Sequence, residues 1–116
     1  MNAADIAISN VALLHFGFLI LEMLLWKTPI GRRIFGLDAE FAERSATLAA
    51  NQGLYNGFLG AGLLWGLIAD GRDIETFFLA CVVVAGLYGG LTVKKSIIVI
   101  QALPAVVALG LLYFRG

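Results

Sequence analysis

Apolar positions in this chain neither alternate nor recur as a stripe; they run on without a break. Between charged residues lie uninterrupted stretches at 45–69, 76–93 and 96–114, and a further stretch, 6–26, is broken only by Glu22. A helix crosses the hydrocarbon core of a bilayer in about 20 residues, so each stretch is predicted as a span, the last two with little tilt. Spanning strands would need period-two alternation and closure into a barrel, because lipid leaves every backbone amide to be satisfied internally. The predicted fold is therefore an all-α membrane protein of four transmembrane helices.

The breaks between runs define the connections. Span one ends at Trp26-Lys27, an interfacial indole beside a lysine able to snorkel, and Thr28-Pro29 stops it. In the following PIGRRIFGLD segment, Ile30 and Ile34 stand one turn apart with Arg32 and Arg33 between them; a short surface helix and a plain loop both fit. Asp38 is placed to cap the next helix, with Glu40 and Arg44 at i, i+4 in its first turns. DGRD joins spans two and three and TVKKS joins spans three and four, both short enough to make neighbouring helices antiparallel. An up-down-up-down bundle follows, one domain over residues 1–116. The start, MNAADIAISN, lacks the positive region of a cleaved signal, so the first helix is expected to stay in the membrane.

Composition agrees with this picture: 60% of residues are hydrophobic and 14% charged. The formal net charge of zero conceals an asymmetry. Lys27, Arg32, Arg33, Arg44, Lys94 and Lys95 fall where spans one and three end, and only Arg72 and Arg115 fall opposite. The positive-inside rule then puts the 27–44 loop and the Lys94-Lys95 turn in the cytoplasm and both termini on the extracytoplasmic side of a multi-pass cell-membrane protein. Nucleic acid is not an expected partner, since these cations are interleaved with Asp38, Glu40 and Glu43. Cys81, the single cysteine, lies mid-span and reads as a small buried hydrophobe.

Against this apolar background the polar residues stand out. A carboxylate within a bilayer costs at least ~2.5 kcal/mol on insertion scales and marks a functional position by default; Glu22 is such a group. His15, the chain's single histidine, precedes it by seven residues, which in a regular α-helix returns to nearly the same direction. On span two, Asn51 with Tyr55 and Gln52 with Asn56 draw a polar stripe at i, i+4 spacing, at the depth of Glu22. Tyr88 and Thr92 on span three, and Gln101 on span four, fall in the same leaflet. Beyond Gln101, Pro104 deprives the carbonyl of Ile100 of its usual helical donor. Gly53 with Gly57, Gly62 with Gly66, and Gly86 with Gly90 are small-xxx-small pairs that permit close helix approach.

The run NQGLYNGFLGAGLLWG from Asn51 to Gly66 resembles the signature of the small membrane family called domain of unknown function 1304. His15, the Glu22-to-Trp26 run, Phe35-Gly36, the segment from Tyr88 to Thr92, and Gln101 with Pro104 agree, so the resemblance covers essentially the whole chain. It implies a four-helix integral membrane protein and brings no activity with it.

Three readings of the polar cluster stand side by side. In one, Glu22 and His15 form an acid–base pair flanking a small or amphiphilic substrate, with Asn51, Gln52, Tyr55, Asn56, Tyr88, Thr92 and Gln101 binding it. Isomerisation or epimerisation fits that pair, since it needs no redox cofactor, nucleotide loop or activated nucleophile. In the second, the same groups are interhelical glue in a structural subunit, either a homo-oligomer or part of a larger membrane assembly. In the third, Glu22 is the carboxylate of a small proton-coupled transporter. No second histidine or cysteine completes a metal site, and no cofactor is expected.

Overall fold

The computed structural model describes residues 1–114 and is helical nearly throughout; Arg115, counted above among the extracytoplasmic cations, and Gly116 lie outside the described residues. Helix α1 spans Ala3–Leu19 and passes directly into a π turn, Ile20–Leu24. Helix α2 is Pro29–Phe35, α3 is Ala39–Ala69 and α4 is Arg72–Thr92. A second π turn, Ile98–Ala102, leads into α5, Leu103–Phe114.

Two of the four apolar runs, Ala3–Leu24 and Arg72–Thr92, are helices long and apolar enough to cross a membrane. The other two depart from the simple expectation for different reasons. The run at 45–69 sits in α3, which has length to spare at 31 residues, but its apolar character is diluted by Asn51, Gln52, Asn56 and several glycines. The run at 96–114 gives the apolar stretch Ile98–Phe114, which is short for a span.

Two compact units share the chain: Met1–Leu13 with Leu59–Gly116, and Leu14–Phe58. In the first, Ile8, Val11 and Ala12 of α1, Leu63 of α3, Leu79 and Val82 of α4, and Ala105 and Ala108 of α5 make a buried apolar cluster. Helix α4 packs on α5 and on the π turn preceding it. The approach is close at Gly86, where a Cβ would lie 2.7 Å from the backbone nitrogen of Ala102. Asn2 and Asp5 cap α1 reciprocally: Asp5 N–H donates to Asn2 Oδ1 at 2.8 Å and Asn2 N–H to Asp5 Oδ2 at 3.3 Å.

In the second unit the chain leaves the π turn, reverses, and starts again. Thr28 is both the stop and the new start: its hydroxyl donates to the Leu25 carbonyl at 2.6 Å and accepts from Gly31 N–H at 3.2 Å, capping α2 with Pro29 in the first turn. The segment left open as helix or loop is thus a helix, closed by Gly36 in the left-handed region at φ 67°. Asp38 caps α3 as anticipated, its Oδ1 accepting from Phe41 N–H at 2.7 Å. The expected Glu40–Arg44 pair is not formed among the described residues; Lys27 and Glu43 meet instead at 3.6 Å, both well exposed.

Candidate functional site

Glu22 lies inside the first π turn, where Leu25 N–H donates to Ile20 O at 3.1 Å, five residues back. That turn holds one residue more than an α turn. The seven-residue arithmetic that aligned His15 with Glu22 assumes a uniform α-helix and does not carry through it. The carboxylate meets α3 instead: Asn56 Nδ2 donates to Glu22 Oε1 at 2.6 Å. Asn56 is only 5% exposed, and a buried amide requires such a partner.

Small residues bring the two backbones into range. A Cβ on Gly53 would stand 2.8 Å from Met23 Cγ and 3.0 Å from Glu22 Cβ, and one on Gly57 would strike the Leu19 side chain. Gly53, Asn56 and Gly57 thus share the buried side of α3, and Glu22 packs there. His15 is fully buried, its ring edge-on to Phe18 at 5.3 Å between centroids.

The remaining sequence-picked residues have other surroundings. Asn51 and Gln52 are exposed, and Tyr55 is exposed and edge-on to Phe58. Tyr88 is 70% exposed, and Thr92 gives its hydroxyl to the Tyr88 carbonyl at 2.7 Å, within α4. Gln101 is half-buried in the second π turn, where Leu103 N–H donates to Ile98 O. Pro104 falls just beyond, where the π turn passes directly into α5, so its missing amide lies at that junction. Among the described residues, one surface cavity is lined by the start of α1, the α3–α4 turn and the end of α5, with Asp5, Asp70 and Glu75 in its wall, and another by the outer side of α4 from Phe77 to Tyr88. Neither includes Glu22 or His15.

Two features were missed in the sequence. The π turns leave no periodic signature, although Pro104 is a local signal for the second. The other is Trp26, whose Nε1–H donates to Ser45 Oγ at 3.0 Å while its ring lies 4.8 Å from that of Phe35. Ser45 in turn donates to Phe41 O at 2.6 Å, so the indole is tied to both α2 and α3.

These observations define an all-helical protein with two helices apolar enough for a membrane and a carboxyl–amide pair joining helical segments within one compact unit. The chain belongs to the family described as Protein of unknown function (DUF1304), whose model matches residues 9–113. Among its relatives is the Uncharacterized protein YpaA of Lactococcus lactis subsp. lactis (strain IL1403), 36% identical over 103 residues, or 85% of this chain and 87% of that protein. No solved structure matches the chain.

Proposed function

We propose that the protein is a four-span integral membrane protein of the cell membrane, with both termini extracytoplasmic, acting as a structural or accessory subunit. In this reading the Glu22–Asn56 pair fastens its helices, and the polar edge of α3 receives another chain. The observation that carries it is the 2.6 Å hydrogen bond between Glu22 and Asn56, made over the close approach at Gly53. Water does not compete for such a bond in lipid, where small residues and polar contacts hold helices together. The exposed side chains of Asn51 and Gln52 support the second half of the proposal. Amides facing hydrocarbon are costly, and a second copy or a larger membrane assembly would cover them.

A second reading is favoured by one observation, the π turn at Glu22, since π turns recur at functional sites. Here Glu22 and His15 exchange protons with a small or amphiphilic substrate in an isomerase- or epimerase-type reaction. Asn51, Gln52, Tyr55, Asn56, Tyr88, Thr92 and Gln101 then bind the substrate.

Glu22→Gln separates the two. Glutamine still accepts from Asn56, so the structural reading expects unchanged assembly mass by native mass spectrometry and a stability change within about 1 kcal/mol. Proton transfer at carbon exchanges hydrogen with the solvent. Deuterium appearing from heavy water in a co-purified ligand, and lost in Glu22→Gln protein of unchanged mass and stability, would decide for the acid–base reading.

A further inference from the structure

A cavity of about 190 Å³ lies where the start of α1, the α3–α4 turn and the end of α5 come together in the first unit. Its polar lining is Asn2, Asp5, Asp70, Arg72 and Glu75. Glu75 is only 4% exposed, seated against Gly66, where a Cβ would lie 2.6 Å from its Cγ. Among the described residues its carboxylate accepts no hydrogen bond and has no cation within ion-pair distance. Buried carboxylates are ordinarily paired or richly hydrogen-bonded; the one solvent-sealed side-chain atom without a partner among the described residues is Arg32 Nε, so the Glu75 oxygens open into the cavity and draw their donors from what fills it.

Arg72, the basic residue in the lining, is engaged elsewhere. Its guanidinium donates to the Leu112 carbonyl and lies over the ring of Tyr113, 4.5 Å from the centroid. The Tyr113 hydroxyl shares a 2.6 Å hydrogen bond with Thr76. The charges of Asp5, Asp70 and Arg72 all act on Glu75, three carboxylates against one committed guanidinium. Among the described residues no three acids are grouped tightly enough to hold a metal ion. Acceptors spread around a cavity larger than an ion suit an organic cation that donates in several directions, as a primary ammonium does with its three N–H groups.

We propose that this cavity binds a primary ammonium group, with Glu75 as its principal acceptor and Asp5 and Asp70 supplying the surrounding negative charge. The ammonium belongs either to a small free amine or to the headgroup of an ethanolamine lipid. A quaternary ammonium, having no N–H, does not substitute.

The test uses the full chain purified in detergent. Calorimetric titration with ethanolamine is run on the wild type, Glu75→Gln and Asp70→Asn, with tetramethylammonium as the non-donating control. The same proteins are melted in nanodiscs of phosphatidylethanolamine and of phosphatidylcholine. Saturable ethanolamine binding, weakened at least tenfold in both variants and absent for tetramethylammonium, supports a free amine. A melting temperature raised by the ethanolamine lipid in the wild type, and not in either variant, supports the lipid. Absence of both effects overturns the proposal, as does equal binding by both variants and the wild type or equal binding of tetramethylammonium. If Glu75→Gln does not fold, Asp70→Asn alone decides, since asparagine tolerates the left-handed conformation found at residue 70 (φ 51°).

Discussion

Glu22 commits one carboxylate oxygen to Asn56, and that bond sets Asn56 apart from the exposed Asn51 and Gln52 on the same helix. Asn56→Leu removes the donor while keeping a side chain of similar size, and is expected to lower stability by ~1 kcal/mol, within the range found for hydrogen bonds between membrane helices. Gln52→Leu, one turn away on the exposed side, is expected to leave stability nearly unchanged. Unfolding of both variants in mixed detergent, followed by circular dichroism, measures the difference. The sequence could bring Glu22 and Asn56 to one leaflet because the same charged loop ends the first apolar run and begins the second. It could not separate Asn56 from Asn51, Gln52 and Tyr55, because i, i+4 spacing tells which residues are neighbours on a helix and not which of them another helix covers. The buried glycines at 53 and 57 supply that information, since they mark where a neighbouring backbone comes close.

At the scale of elements, the three small-residue pairs proved the most readable part of the sequence. Each lies against another helical segment: Gly53 and Gly57 against residues 19–23, Gly62 and Gly66 against Phe78 and Glu75, and Gly86 and Gly90 against Ala102 and Ile98. The pattern works because only a missing Cβ lets two helices approach so closely. Gly86→Ala drives a methyl into the backbone of Ala102 and is expected to cost about 1–3 kcal/mol, the usual range for overpacking. At Gly110, where an added Cβ meets nothing within 4 Å, the same change is expected to stabilise α5 by about 0.5–1 kcal/mol through its backbone entropy. Thermal melting of the pair in detergent shows whether the sign reverses as expected. The π turns were hidden for the opposite reason: they depart from the regular period on which sequence reading depends. Thr28-Pro29 was legible only in part, because a motif that stops one helix here caps and starts the next.

For the whole molecule, apolar run length identified four helical stretches, and the structure is helical through each of them apart from the turns at their edges. Length and composition together single out Ala3–Leu24 and Arg72–Thr92 as span candidates. Run length ignores polar dilution, which affects α3, and helix breaks, which shorten the last stretch. The proposed four-span arrangement makes a definite topological statement. Reporter fusions after Lys95 are expected to report the cytoplasm, and fusions after Gly116 the extracytoplasmic side. A cytoplasmic signal at both points would mean an odd change in the number of crossings and remove the proposed orientation.

The bond from Trp26 to Ser45, with Phe35 stacked alongside, has a consequence of a different kind. An indole held between two helices responds in its fluorescence to the polarity and rigidity of that niche, while Trp65, the other tryptophan, is more than half exposed. With Trp65 replaced by phenylalanine, emission comes from Trp26 alone. The junction of α2 and α3 thus carries its own optical label, beside the loop that the charge pattern assigns to the cytoplasm.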